Sequence, residues 1–359
     1  MSQTSKMTID YLIVGQGISG TFLSWYLGQH GMRYMVIDDQ KPNSASRVAA
    51  GIINPVTGRR MVKTWMIDEL IPFAKFVYST LGNELNIHAI TECRVRDFFP
   101  TPQMRSAFMT RMEEDSSYLD MADQSDYAQQ LNYSFGYGTI RPAFLIHLQD
   151  ILAAWRIKLE TDGNLIGQTI NVDELSVSDN GVRYQNIEAK KIIFCDGAGA
   201  AATTWFGALP FAYNKGECLL VEIPGLARNS ILKKGISLVP LYDDVFWAGS
   251  TYEWHYEDDQ PSAAFYKRTV TLLKDFLKIP FNVVGHEAAL RPATLERRPF
   301  VGFHPGNPAI GILNGMGTKG CSLAPYYARQ LADHLYNGRE IDPSVDVRRF
   351  NNLLKRTIR

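Results

Sequence analysis

The hexapeptide Gly15-Gln16-Gly17-Ile18-Ser19-Gly20 carries the most specific chemistry in the chain. Glycine at its first position permits a tight turn. Glycine at the second lets backbone N–H groups approach a pyrophosphate, and at the third it lets a helix sit close against a strand. A helix starting here adds the positive end of its dipole to that anion site. Asp38 follows at the interval where an acid accepts hydrogen bonds from ribose hydroxyls. The pattern predicts a bound dinucleotide without choosing between a nicotinamide and a flavin. The four cysteines, Cys93, Cys195, Cys218 and Cys321, stand far apart, with no CxxC and no neighbouring histidine pair. Neither a metal centre nor a disulfide framework is expected, and a reducing, cytoplasmic setting fits. His88 and His286 lack acidic or cysteine neighbours at ligand spacing and are expected to be structural. Tyr252, Trp254 and His255 form an aromatic cluster that reads either as an active-site wall or as ordinary strand packing.

These residues need elements to hold them. Residues 9–14 (IDYLIV) are a nearly continuous apolar run ending at glycine, which predicts a buried parallel strand. Phe22, Leu23, Tyr26 and Leu27 then recur at helical spacing until His30-Gly31, and residues 34–37 (YMVI) are a second buried strand ending on Asp38-Asp39. That makes one βαβ unit. Residues 42–58 read as a loop of unusual length, small, polar and punctuated by glycine. Helical patterns follow at 64–81 and 141–158. Residues 191–195 (KIIFC) form another buried strand running into the glycine-rich turn DGAGA. Residues 215–223, 237–242 and 245–252 read as antiparallel strands. A strand at 310–313, the turn NGMGTKG and a helix at 323–336 follow.

Three glycine-rich strand-to-helix corners dispersed along 359 residues imply a discontinuous nucleotide domain with a second domain inserted into it. The expected fold is α/β: a Rossmann-like dinucleotide domain from 1–62, 141–208 and 291–359, and a substrate domain on a largely antiparallel mixed sheet from 63–140 and 209–290. Charged residues at 21% and apolar residues at 45% describe a globular chain. Lys+Arg and Asp+Glu both number 37, so no global field attracts nucleic acid or anionic lipid. The uncharged stretch 11–29 is interrupted by Gly15, Gly17, Gly20 and Gly28 and is not expected to span a membrane.

CDGAGA (195–200) and NGMGTKG (314–320) resemble the second and C-terminal flavin signatures of the D-amino-acid oxidase family, which includes glycine and sarcosine oxidases. ASRVAAGIINP (45–55) is similar to that family's loop over the flavin ring, and Lys215-Gly216 to its KGQ-type strand. PLYDDVFWAGSTYE (240–253) resembles the substrate-domain strand pair, and LRPATLERRPFVGFHP (290–305) the LRP-T-D-P-IG block. The matches run in family order from residue 9 to about 336.

The resemblance implies FAD, with Gly15, Gly17, Gly20 and Asp38 at its diphosphate and adenosine ribose and Val172 at the adenine. Gly197 belongs to the second signature. Ser46, Arg47, Ala50 and Gly51 are implied beside the ribityl chain and ring, and Gly317, Thr318, Lys319 and Gly320 present backbone N–H groups to the pyrimidine. Arg291 is implied to bind the substrate carboxylate, since a guanidinium matches a carboxylate as a bidentate fork. Tyr252 and Lys319 complete the candidate catalytic set. Relatives with covalent flavin carry a cysteine just after the arginine block. Residues 291–311 contain none, so noncovalent FAD is expected.

The implied reaction oxidises the C–N bond of an amino acid or N-substituted glycine by hydride transfer to flavin N5, and water hydrolyses the resulting imine. The family's oxidases often carry histidine in the C-terminal turn where Lys319 stands, which leaves the electron acceptor open between oxygen and another species. Two rival readings are a flavin oxidoreductase acting on a carboxymethylamino-modified tRNA base and a non-catalytic flavoprotein. The basic C-terminal residues Arg348, Arg349, Lys355, Arg356 and Arg359 bear on the first, but read better as a solvated helical end given zero net charge.

Overall fold

Apolar strands that end at glycine align their carboxyl ends in one sheet. The computed structural model describes residues 6–58, 60–121, 127–178 and 181–355. In its first sheet, Met7–Val14 is central and pairs in parallel with both Tyr34–Ile37 and Ile187–Phe194. Asn307–Asn314 pairs in parallel with Ile187–Phe194, and Phe300–His304 folds back against it. The register sets Val14 opposite Ile37 and Phe194, and Phe194 opposite Ile312. The residues that follow these strands are the three glycine-rich corners and Asp38. They therefore meet at the carboxyl edge, where open parallel sheets bind ligands. The hairpin Leu175–Ser178 and Gly181–Tyr184 and the short strand Leu165–Ile166 close the outer edges.

Helices Ile18–Gln29 and Gly320–Asn337 cover one face of this sheet. The first is buried nearly all round, because it lies between the sheet and the second. Phe22, Leu23 and Leu27 join Tyr327, Ala328 and Leu331 in one apolar cluster with Ile13 and Val36.

The second sheet has nine strands. Its order runs Asn282–Arg291, Asn214–Glu222, Val245–Gly249, Ser237–Pro240, Ile231–Lys233, Ile90–Phe98, Tyr137–Ile146, Ile52–Ile53, and the ninth strand, Leu119–Asp120, pairs alongside Tyr137–Ile146 off this path. Only Ile231–Lys233 with Ile90–Phe98 is parallel, so the sheet is largely antiparallel and mixed. Helix Ala263–Phe276 covers one face through Phe265, Leu273 and Phe276. The other face packs Cys218, Trp247 and Ala289 against Val48, Ala50 and Val56.

Two expectations change. The helix expected over 141–158 is the end of strand Tyr137–Ile146 followed by helix Leu148–Thr161. The strand pairs along its length with Ile90–Phe98, which decides the conformation of an apolar run that periodicity left ambiguous. It lies wholly in the second sheet, so the division expected at 140/141 falls inside a strand. The loop over 42–58 contains a turn of helix, Ala45–Val48, and the strands Ile52–Ile53 and Val56–Thr57. Ile52–Ile53 becomes an outer strand of the second sheet.

Candidate active site

At the first corner, a Cβ on Gly20 would stand 1.9 Å from Gly15 O, and one on Gly15, where φ is +95°, would stand 2.7 Å from Cys195 O. Only glycine lets the helix and the second corner close on this strand. Gly17 caps the helix without a side chain. The Ile18 N–H donates to Ser46 Oγ at 3.0 Å, which brings the 42–58 segment onto the helix N-terminus.

Asp38 ends the second strand within the same corner. Its carboxylate accepts from Gln16 N–H at 2.8 Å, Gln40 N–H at 2.9 Å and Arg156 Nη1 at 2.9 Å. About four lone-pair sites are available on a carboxylate, so roughly one remains for a ribose hydroxyl. Arg47 Nη2 lies 3.7 Å from Asp38 Oδ1 and donates to Gln16 Oε1 at 3.5 Å. Two arginines thus flank the acid, and burial pulls Arg47 below its ordinary pKa. Val172 opens a short 3-10 turn and packs half-buried on the apolar cluster of the first sheet.

At the second corner Gly197 adopts φ +59°, and its carbonyl accepts from Asn314 Nδ2 at 2.9 Å, tying the second corner to the third. Burial pushes the Asp196 carboxyl up to about 7. Ala50 is buried on the second sheet, and Gly51 O accepts the Ile146 N–H at 2.7 Å.

The third corner differs in one respect from expectation. Gly317 N–H donates to Pro292 O at 3.0 Å and Lys319 N–H to Met316 O at 3.1 Å. Two of the N–H groups expected to face a ligand are therefore taken within the chain, because the turn tightens into the 3-10 segment Gly317–Lys319 before Gly320 starts the helix. Thr318 is exposed. Lys319 Nζ donates to Thr64 Oγ1 at 3.4 Å, and no carboxylate lies within 4.0 Å of it among the described residues. Burial lowers its pKa to about 8.

The Gly317–Pro292 bond joins this corner to Arg291, the last residue of strand Asn282–Arg291. Arg291 Nη1 donates to Asn214 Oδ1 at 2.9 Å and Thr251 O at 2.8 Å, and Nη2 to Ser250 Oγ at 2.6 Å. All three partners are neutral. Among the described residues no carboxylate comes within 4.0 Å of the guanidinium, so it is not half of a structural ion pair. Burial lowers its pKa. Thr251 Oγ1 beside it is buried without a partner. The Tyr252 ring lies against the guanidinium, 5.0 Å from Cζ. Trp254 and His255 are exposed and line an open concavity with Tyr256 and Glu257.

Asn214, Ser250, Thr251, Arg156 and Thr64 were not singled out in the sequence. Asn214 stands next to Lys215-Gly216 and Ser250 within the family-like strand pair, a signal that was available. Arg156 had none, being 118 residues from Asp38. His286 pairs with Glu217 and His88 with Thr91, in structural roles, and no group of three metal-ligating side chains occurs among the described residues. Arg348 pairs with Asp346 and Arg349 with Glu296, so these two are engaged within the chain. Arg356 and Arg359 lie outside the described residues. No helix among the described residues is long and apolar enough to cross a membrane.

A family model described as FAD dependent oxidoreductase matches residues 10–334. Glycine oxidase from Bacillus licheniformis is 22% identical over 346 residues, spanning 90% of this chain and 92% of that protein. Glycine oxidase from Pseudomonas putida is 23% identical over 370 residues, spanning 94% and 98%. Among solved structures, glycine oxidase from Bacillus cereus superposes with a TM-score of 0.79 at 14% identity over 92% of this chain and 96% of that one. Iminodiacetate oxidase from Chelativorans sp. BNC1 gives 0.74 at 17% identity over 94% and 99%.

Proposed function

From the chain's membership of the DAO family of FAD-dependent oxidoreductases, we propose that it oxidises the C–N bond of an amino acid or N-substituted glycine. The observation that carries this reading is Arg291: a half-buried arginine whose guanidinium, among the described residues, is held only by neutral acceptors and is joined through Pro292 to the third glycine-rich corner. Asn214, Ser250 and Thr251 fix the plane of its fork, which leaves the cation to be neutralised by a substrate carboxylate. Tyr252 covers one side of the guanidinium and limits the directions of approach. Relatives named glycine oxidase and iminodiacetate oxidase support a substrate of this class.

The first sheet fits the cofactor. Gly15, Gly17 and Gly20 leave a backbone cradle, two of whose positions have no room for a Cβ, at the N-terminus of a buried helix, with Asp38 and Arg47 beside it. FAD, when bound, supplies the two-electron acceptor for the oxidation. Residues 291–311 offer no cysteine, so FAD is held noncovalently. An amine bound in its neutral form needs no general base, and the chain's contribution is position: Arg291 holds the carboxylate and thereby the reacting Cα–H. The second sheet supplies that substrate side. All four cysteines are unpaired, which suits a cytoplasmic setting.

Anaerobic mixing of the yellow holoprotein with a panel of amino acids and N-substituted glycines, each paired with its descarboxy amine, tests the proposal. The acids are expected to bleach the flavin and the amines to do so poorly. Arg291→Ala should cost the acid on the order of 2–5 kcal/mol in kcat/KM, because the carboxylate is left unpaired. Arg291→Lys should lose less, and the descarboxy amine should be nearly indifferent to both. A descarboxy amine that reduces the wild-type flavin as fast as the acid does would remove the carboxylate role.

A further inference from the structure

The strand that faces Arg291 also carries a buried lysine that the chemistry above does not use. Lys215 is 4% exposed. Its N–H donates to Glu253 O and its carbonyl accepts the Glu253 N–H, both at 2.9 Å. Its Nζ donates to Gln260 O at 2.9 Å, with Glu217 Oε1 at 3.6 Å and Asp258 Oδ1 at 3.8 Å. One residue therefore grips both ends of the irregular segment 253–260. Pinning the ends of a flexible segment carries an entropic cost, and a buried ammonium must be compensated by fixed acceptors. Here both requirements are met at one point.

The ground under that point is rigid. Glu217, 2% exposed, accepts from Ser262 N–H and Ser262 Oγ, both at 2.7 Å, and pairs with His286 Nε2 at 2.9 Å. Ser262 in turn caps helix Ala263–Phe276 through the Phe265 N–H. At the far side, Asn43 Nδ2 donates to Asp259 Oδ2 at 2.8 Å, joining 253–260 to the segment that also touches the first helix. Ser250, Thr251 and Tyr252, the residues that contact Arg291, lie immediately before Glu253.

We infer that Lys215 is a positioning residue: by clasping both ends of 253–260 it holds Ser250, Thr251 and Tyr252 against Arg291 and keeps the segment as a fixed wall of the substrate side. The clasp stands on geometry alone, and its effect on turnover rests on the function proposed above.

The test uses holoprotein, wild type and Lys215→Met, digested briefly with a glutamate-specific endoprotease while the cuts are mapped by mass spectrometry. Cutting after Glu253 or Glu257 is expected to speed up about tenfold in the variant, with the other glutamates within about twofold, because only this segment gains freedom. In the same variant KM for the bleaching amino acid should rise about tenfold with kcat within about threefold, and the descarboxy amine should be unaffected. Should Lys215→Met fail to fold, Glu253→Pro removes an N–H from the same clasp at the surface, and cutting after Glu257 is then expected to speed up about fivefold. Unchanged cutting at the segment, cutting raised throughout the chain, or raised cutting with KM unmoved overturns the inference. A wild-type flavin that no amino acid bleaches sinks the proposed reaction instead, and the cutting result then decides the clasp by itself.

Discussion

Lys319 and Arg291 are both half-buried cations with no carboxylate within 4.0 Å among the described residues, and they differ in what that costs. A guanidinium stays charged when desolvated, whereas an ammonium gives up its proton. Burial lowers the Lys319 pKa from 10.5 to about 8. Between those values the unfolded chain holds the proton and the folded chain has lost it, so this residue makes folding more favourable as pH rises through that window. Below about 8 both states are protonated and the burial penalty is fully present. Cofactor-free wild type is therefore expected to gain a few degrees of Tm relative to Lys319→Met as pH is raised from 7 to 10. A gap that stays constant would show the ammonium to be well solvated. Sequence spacing pointed to Asp38, which follows a buried strand, and the family resemblance pointed to Arg291 and Lys319 through the motifs that contain them. Neither pointed to their partners. Asn214 is 77 residues from Arg291 and Arg156 is 118 from Asp38, separations closed by a strand ladder in the first case and by the packing of helix Leu148–Thr161 in the second.

At the scale of elements, strand Asn214–Glu222 shapes the site by what it lacks. Gly216 stands opposite Ala289 in the ladder, and a Cβ there would lie 1.8 Å from Arg291 Nη2. The guanidinium crosses the strand face through the gap this glycine leaves. Gly216→Ala is expected to keep the yellow colour and the fold while lowering kcat/KM for the amino acid about tenfold or more, because the fork is pushed from its three acceptors. Loss of FAD together with activity would place the glycine's role in the fold instead. Neither the strand's alternation nor the Lys215-Gly216 pair made that role legible, since the crowding comes from a residue on the neighbouring strand. The same limit explains Tyr137–Ile146. Its run AFLI is apolar without alternation and leads into helix Leu148–Thr161, so nothing local separates strand from helix until Ile90–Phe98 pairs with it. The strands flanked by glycine corners carried their own punctuation, and Tyr34–Ile37 has the bounds its sequence predicted.

For the whole molecule, segment 42–58 decides how the two sheets communicate. Ser46 Oγ accepts from Ile18 N–H at the first corner, and Val48 O accepts from Trp247 Nε1, 2.9 Å away in the second sheet. Gly51 and Ile52–Ile53 bond onto strand Tyr137–Ile146. Asn43 reaches Asp259. A ligand that grips Ser46 and Arg47 thereby stabilises contacts made by both sheets, and binding to the folded state alone stabilises it by about 2.7 kcal/mol at a hundredfold excess over Kd. Cofactor-free protein titrated with FAD is expected to unfold in one transition, followed by near-ultraviolet circular dichroism, whose midpoint rises a few degrees across the titration. Ser46→Ala should weaken the rise, because the Ile18 N–H then loses its tie to the segment. Two resolved transitions, only one of them moving with FAD, would mean that 42–58 does not couple the sheets. In that event Trp247 fluorescence should be indifferent to FAD in the range where the first transition shifts, a second reading of the same independence.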